Sequence, residues 1–197
     1  MEDFIEISEN KFDLPKINKT DITVFTSKNA VKSVFNQYPN LQIQNNTIAC
    51  VGSKTAQLLK ANRVPVNHIA NSAAQLGKWL IKNSNEDQNI LHFCGNIKRE
   101  ELKKISVKNK LNYSEIEVYT TKLTPKKINF QVDGILFLSP SSVISFIEAN
   151  NPSDKAAFCL GETTANEAKK NFNTVIVSKI PTVENSLKTI EQYYGNI

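Results

Sequence analysis

Glycine is scarce in this sequence, and its few occurrences are far apart. Six glycines stand at positions 52, 77, 95, 134, 161 and 195 of 197 residues. The glycine motifs that bind nucleotides, and the nucleophile elbow of α/β-hydrolases, each need two or more glycines within a few residues. The spacing therefore excludes a G-x-G-x-x-G fingerprint, a Walker A loop and a G-x-S-x-G elbow.

Residues that bind metals or act as nucleophiles are also few. The chain has two histidines and three cysteines, with no C-x-x-C or H-x₃-H pair. No metal site is predicted from these spacings. Cys50, Cys94 and Cys159 each lie in an apolar run, which predicts buried thiols in a reducing compartment. His92, inside ILHFC, is interpreted as a core residue, and His68, near a strand end, is more open to a function.

Long apolar runs are absent as well. No stretch approaches the roughly 20 residues of a membrane-spanning helix. The acidic start MEDFIEISEN lacks the pattern of a signal peptide, so we expect a cytoplasmic protein without a membrane partner. The net charge of +5 suits an acidic ligand as well as nucleic acid. Because the basic residues are not interleaved with aromatic residues that could stack on bases, a nucleic-acid partner is not expected.

What the sequence does contain is a series of short apolar runs separated by helical patterns. Such runs are typical of parallel strands buried on both faces, and their alternation with helices predicts a doubly wound α/β fold. The runs are ITVFTS at 22–27, TIACVG at 47–52, VNHIA at 66–70, NILHFCG at 89–95, EIEVY at 115–119, GILFLSP at 134–140, AAFCLG at 156–161 and TVIVS at 174–178.

An internal repeat predicts two domains. FTSKNAV at 25–31 resembles FLSPSSV at 137–143, and ACVGSKTA at 49–56 resembles FCLGETTA at 158–165. One strand–turn–helix series therefore occurs twice. FIEIS at 4–8 and EIEVYTTKL at 115–123 alternate apolar and polar residues and are predicted to pair as an antiparallel two-stranded connector. We expect a first α/β domain at 13–117 and a second at 118–197, with residues 1–12 as a connector strand.

Small polar residues follow five of the predicted strands, where the next helix begins. Backbone N–H groups at a helix N-terminus bind carboxylates or phosphates, but the same residue types also cap helices without any ligand. Both interpretations stay open for a single turn, and five turns of one type favour an anion-binding cleft. The candidate ligand-binding residues in these turns are Thr26, Ser27, Ser53, Thr55, Gly95, Asn96, Ser139, Ser141, Thr163 and Thr164.

Three further side chains are candidates for binding or catalysis. Lys98 and Arg99 stand in the first turn of a predicted helix, where they oppose the helix dipole and therefore point to a ligand. Tyr119 is predicted to end the second connector strand. Its phenol could donate a proton, or it could be a packed tyrosine of the connector.

The resemblance to a known family rests on six motifs in their order and spacing along the chain. They resemble those of uroporphyrinogen-III synthases and are FTSKNAV, ACVGSKTA, LHFCGNIKREEL, EVYTT, ILFLSPSSV and FCLGETTANEA. The similarity runs from about residue 4 to 187. It implies two flavodoxin-like (Rossmann-like) domains joined by a two-stranded β-ladder, with the active site in the cleft between them.

The resemblance also implies a reaction. Members of this family close the linear tetrapyrrole hydroxymethylbilane to uroporphyrinogen III, with inversion of ring D through a spiro intermediate and loss of water, and they use no metal or cofactor. Tyr119 occupies the place of the candidate acid in the family's V-Y-x-T motif. The alternative that the residues leave open is a non-catalytic two-domain module that binds a small acidic ligand.

One departure from the family pattern concerns the start of the chain. Members usually begin with a strand, a helix and a second strand, whereas here FIEIS stands almost at the start. The second domain is therefore expected to lack part of its sheet and to have an open edge. We expect a monomer, with a dimer through that edge as the alternative.

Overall fold

The computed structural model describes residues 2–97, 100–152 and 154–195, and the chain forms two compact units. The large unit is Ile7–Thr120, and the small unit combines Met1–Glu6 with Thr121–Ile197. The chain passes from one unit to the other within two strands, β1 (Ile5–Glu9) and β6 (Tyr113–Leu123).

The sheet that contains these two strands has the order β1-β6-β5-β2-β3-β4. Pairing is parallel from β4 through to β6. The apolar runs predicted parallel strands, although not which strands are neighbours. The remaining strands of this sheet are β2 (Ile22–Phe25), β3 (Thr47–Val51), β4 (His68–Ala70) and β5 (Ile90–Gly95).

Four helices cover the two faces of the sheet. They are α1 (Lys28–Gln37), α2 (Ser53–Ala61), α3 (Ala73–Asn83) and α4 (Glu101–Lys108). Alternate strand residues point to opposite faces: Phe25 packs in the core beneath α1 and α2, and Val24 packs in the core beneath α3 and α4. The predicted doubly wound arrangement is confirmed.

The predicted connector is present, and it is also part of this sheet. The N–H of Asn10 donates to Val118 O and that of Thr124 to Phe4 O, both at 3.0 Å, so β1 and β6 run antiparallel. β6 pairs on its other side with β5, which the alternating pattern did not reveal. The interpretation of Tyr119 as the last residue of this strand is wrong. β6 continues to Leu123, the end of the alternating segment at 115–123, because β1 supplies hydrogen-bond partners there.

The small unit repeats the same architecture with a three-stranded parallel sheet in the order β7-β8-β9. Phe137, Phe146 and Phe172 form the centre of its core, and Phe158 contacts Tyr193 and Tyr194 on the other face of the sheet. The elements are β7 (Gly134–Phe137), α5 (Pro140–Ala149), β8 (Ala156–Cys159), α6 (Glu162–Ala168), β9 (Thr174–Val177) and α7 (Val183–Gly195).

The prediction that the cysteines are buried is confirmed. Cys50, Cys94 and Cys159 are buried and form no disulfide, and burial raises the pKa of Cys50 and Cys159 to about 11. In the described part of the chain, no helix combines the length and the apolar character needed to span a bilayer.

Candidate functional site

The large unit has a topological switch point between β2 and β5. On one side of β2 the sheet continues through β3 and β4, and on the other side through β5 and β6. The helices that follow these two strands lie on opposite faces of the sheet. The helix after β2, α1, packs in one core, and the helix after β5, α4, packs in the other. Ligands of open α/β sheets bind outside the carboxyl ends of the strands at such a point. Thr26 and Ser27 follow β2 there, and Asn96 follows β5.

Tyr119 reaches this edge from β6, because Gly95 leaves room for its ring. Gly95 at the end of β5 is paired with Tyr119 across an irregularity in the β5–β6 register. A Cβ atom on Gly95 would lie 2.4 Å from Tyr119 Cζ, closer than any side chain tolerates. The tyrosine ring therefore covers Gly95, and its side chain is only 8% exposed.

Ser27 connects the phenol of Tyr119 to the first turn of α1. Its hydroxyl donates to the Tyr119 hydroxyl at 3.0 Å and accepts from Ala30 N–H at 3.1 Å, so Ser27 is the N-cap of α1. Because the phenol oxygen accepts from Ser27, the proton of Tyr119 can be given to another acceptor.

The electrostatics of Tyr119 keep that proton in place. Burial raises the pKa of Tyr119, the Ser27 hydrogen bond lowers it, and the neighbouring Cys94 raises it, with a net increase. The group is therefore a neutral phenol at physiological pH. It can donate a hydrogen bond, and it can transfer its proton only to a strongly basic or departing oxygen.

Beside Tyr119, a line of hydrogen-bonded polar groups runs from the turn after β2 through the buried His92 to half-buried residues of β6. Thr26 Oγ1 lies 2.8 Å from His92 Nε2, His92 Nδ1 lies 2.6 Å from the Tyr113 hydroxyl, and that hydroxyl donates to Glu115 at 3.1 Å. His92 is 3% exposed, so its interpretation as a satisfied core histidine is confirmed. His68 stacks on Trp79 with the ring centroids 4.6 Å apart.

The other candidates of the large unit divide into exposed and buried residues. Ser53, which begins α2, and Asn96 are exposed, whereas Thr55 is buried. Gly52 before Ser53 has φ +86, in the left-handed region that favours glycine. Lys98 and Arg99 lie outside the described residues.

In the small unit, the candidate residues also lie where strands give way to helices. Ser139 caps α5 by accepting from Ser142 N–H at 3.2 Å, and Ser141 is half-buried in the first turn of α5. In α6, Thr163 is exposed and Thr164 is buried. Thr55 and Thr164, equivalent in the repeat, therefore both face inward.

One feature of these turns was not identified from the sequence, although it is readable there. The first turns of α1, α2 and α5 contain no acidic residue, in contrast to the common placement of Asp and Glu at helix N-termini. Lys28 and Lys54 stand there instead in α1 and α2. Lys28 and Lys54 carry the same signal in the sequence as Lys98 and Arg99, since cations at a helix N-terminus do not stabilise the helix.

The sequence of this chain matches the family model described as uroporphyrinogen-III synthase HemD over residues 4–188. No curated protein matches the chain significantly.

Solved structures with the same fold include proteins from two bacteria. The uroporphyrinogen-III synthetase of Helicobacter pylori is 19% identical, with a TM-score of 0.70 over 96% of this chain and 91% of that one. A mutant uroporphyrinogen III synthase from Thermus thermophilus is 12% identical, with a TM-score of 0.72 over 98% of this chain and 88% of that one. A wild-type structure of the Thermus enzyme is 12% identical, with a TM-score of 0.56 over 89% of this chain and 78% of that one.

Proposed function

The chain belongs to the uroporphyrinogen-III synthase family, lyases of heme biosynthesis, and on that premise we propose that it closes hydroxymethylbilane to uroporphyrinogen III. The proposal rests above all on one observation. The Tyr119 hydroxyl is bound by Ser27 over Gly95, at the carboxyl edge of the sheet beside the switch point.

The acidity of this substrate class fits the turns. Uroporphyrinogen III is an octacarboxylate, and helix N-termini without acidic residues offer unpaired N–H groups and partial positive charge to carboxylates. In the large unit we assign carboxylate binding to the turns of Ser27 and Ser53. Asn96 is assigned the same task through its exposed side-chain amide and not through a helix end, because Glu101 stands in the first turn of α4. In the small unit we assign the same task to the turn of Ser139 and Ser141. Thr163 is assigned it through its exposed hydroxyl and not through the helix end, because Glu162 stands in the first turn of α6.

The remaining candidates have supporting roles in this proposal. Thr55 and Thr164 are each 4% exposed, so we assign them to holding their turns rather than to direct contact. Gly95 leaves room for the Tyr119 ring. We assign to Lys98 and Arg99, which follow β5 in the sequence, a contribution of positive charge. The net charge of +5 favours an anionic ligand overall.

Tyr119 is the proposed proton donor. The hydroxyl on the hydroxymethyl group of ring A leaves as water when a proton reaches its oxygen, and the pyrrole nitrogen of ring A supplies the electron pair that replaces the broken C–O bond. Ring D then attacks the exposed methylene carbon through its substituted carbon, and the spiro intermediate rearranges before closure. Closure releases a proton from a pyrrole carbon, which restores the phenol, so the net change is loss of one water.

The protein contributes acid help and positioning. A neutral phenol with a raised pKa is a weak acid, so its effect on the rate is modest. Holding the bilane so that ring D reaches the methylene carbon through the correct atom supplies much of the selectivity. We propose that the reaction needs no cofactor and takes place in the cytoplasm in a monomer. Three buried cysteines that form no disulfide are consistent with a reducing compartment.

The test is an assay of product isomers. Hydroxymethylbilane is generated by its own synthase, the purified chain is added, and the products are oxidised and separated by chromatography. The type I isomer forms without any enzyme, so the expected result is a majority of type III product that depends on the amount of protein. Type I product alone with the folded protein, as in a control with heat-denatured protein, would refute the proposed activity.

A further inference from the structure

A buried histidine outside the proposed chemistry is hydrogen-bonded directly to a site residue. His92 occupies β5 with its two ring nitrogens bonded at opposite ends, Nε2 to Thr26 Oγ1 at 2.8 Å and Nδ1 to the Tyr113 hydroxyl at 2.6 Å. Thr26 is half-buried at the edge where Tyr119 lies. The positions of the hydrogens on these groups therefore determine whether the Thr26 hydroxyl can donate a hydrogen bond to a ligand or only accept one.

The residue at the far end of this line, Glu115, determines which group donates and which accepts in each hydrogen bond. The Tyr113 hydroxyl donates to Glu115 Oε1 at 3.1 Å, and a carboxylate can only accept. Burial and the neighbouring Glu115 carboxylate raise the pKa of Tyr113, so the hydroxyl keeps its single proton. With that proton given to Glu115, the phenol oxygen must accept from His92, and the hydrogen of the imidazole stands on Nδ1.

A neutral imidazole with its hydrogen on Nδ1 has only a lone pair on Nε2. Thr26 Oγ1, 2.8 Å away, must then donate its hydrogen inward to His92. The outward side of the Thr26 oxygen is left with lone pairs and no hydrogen.

We infer that His92 is a positioning residue that fixes Thr26 as a hydrogen-bond acceptor, so that Thr26 binds an N–H or O–H group of the substrate and not a carboxylate. This inference rests on the proposed function for the identity of the ligand. In a bilane, such groups are the pyrrole N–H groups and the hydroxyl that leaves. Thr26 thus differs from its neighbour Ser27, whose turn receives an anion.

The first test measures the hydrogens on His92 in the free protein, without any substrate. Long-range ¹H–¹⁵N correlation spectra at neutral pH distinguish a protonated ring nitrogen from an unprotonated one. The expected result is a hydrogen on Nδ1 and a bare Nε2. A hydrogen on Nε2, either in the other tautomer or in an imidazolium, would overturn the inference, because Thr26 would then be free to donate.

The second test asks whether Tyr113 acts through Thr26. Thr26→Val removes the acceptor and is expected to lower kcat/KM for hydroxymethylbilane about fivefold, the order of one neutral hydrogen bond, while Thr26→Ser restores most of the loss. Tyr113→Phe removes the partner of Nδ1–H, so it lowers kcat/KM by a similar factor and gives His92 a mixture of tautomers. In the Thr26→Val background, Tyr113→Phe should cost nothing further.

The matched control is Tyr38→Phe. It removes another tyrosine hydroxyl of the large unit, which donates to Phe12 O at 2.7 Å, so it is expected to lower stability without changing kcat/KM. If Tyr113→Phe costs the same factor with and without Thr26, the role of Tyr113 is structural and the inference fails. A failure of the proposed function is distinct, since the wild-type chain would then make no type III isomer whatever tautomer His92 shows.

Discussion

Gly95→Ala is a small substitution that tests how tightly the position of Tyr119 is set. The new Cβ atom would lie 2.4 Å from Cζ, 2.6 Å from Cε2 and 2.9 Å from Cε1 of the Tyr119 ring. Non-bonded carbon atoms are normally at least about 3.5 Å apart, so the outer end of the ring must move by about 1 Å. The Ser27–Tyr119 hydrogen bond is 3.0 Å long, and a further ~1 Å takes it beyond hydrogen-bonding distance.

Two effects follow from that displacement, one on stability and one on the rate. Overpacking a filled site costs about 1–3 kcal/mol of unfolding free energy. Misplacing a reacting group by about 1 Å costs up to about 100-fold in rate, so we expect kcat for type III formation to fall about 10–100-fold. Urea unfolding measures the first effect, and isomer-resolved kinetics measures the second on protein that is still folded.

Gly77→Ala provides the matched control. Its Cβ atom would lie 2.6 Å from Ile105 Cδ1, so it also overpacks a side chain, but at the contact between α3 and α4. It should alter stability and leave kcat unchanged. A folded Gly95→Ala protein whose kcat stays within about twofold of wild type would contradict this prediction. Such a change is less than about 0.5 kcal/mol in the activation barrier, and the rate would then not depend on the position of the Tyr119 ring.

Two other predictions concern ionisable and capping groups. Ser27→Ala removes the α1 cap and the donor to the phenol, so we expect the free energy of unfolding to fall by about 1 kcal/mol and the Tyr119 pKa to rise in an NMR titration. Ser72→Ala, which removes the equivalent cap of α3, should lower stability without changing the Tyr119 pKa. An unchanged Tyr119 pKa in Ser27→Ala would contradict the assignment of this hydrogen bond. Burial raises the pKa of Cys50 and Cys159 to about 11, whereas unfolded thiols ionise at about 8.5. The free energy of unfolding in urea should therefore fall as pH rises from about 8.5 to 11. If it falls equally steeply with pH in wild type and in Cys50→Ala/Cys159→Ala, this prediction is wrong.

Much of the fold could be predicted because strands and helices leave periodic patterns in the sequence. Runs such as ITVF at 22–25 and AAFC at 156–159 are buried along their whole length, and this composition is typical of strands covered on both faces. The pairing of β6 with β5 could not be predicted, since an alternating strand shows that one face is exposed but does not name its neighbour.

The site could be predicted less completely, because its decisive contacts join residues far apart in the chain. The residue types at the strand ends indicated anion-binding turns, and the turn positions were right for Ser27 and Ser139 as helix caps. Local sequence could not show that Gly95 makes room for Tyr119 or that His92 bonds to Thr26, since both contacts depend on the register of neighbouring strands. Nor could it show that Thr55 and Thr164 face inward, which depends on how each helix packs.

The central claim is that the Tyr119 phenol is the acid of the reaction, and the Tyr119→Phe variant tests it most directly. The measurement is single-turnover formation of type III product from hydroxymethylbilane, together with the affinity for uroporphyrinogen III. We predict a rate about 10–100-fold lower, at the low end of general acid catalysis, an affinity within about twofold (~0.4 kcal/mol) of wild type, and a larger share of type I product. Tyr38→Phe should leave all three values unchanged. A Tyr119→Phe protein that forms type III product at the wild-type rate would contradict the account.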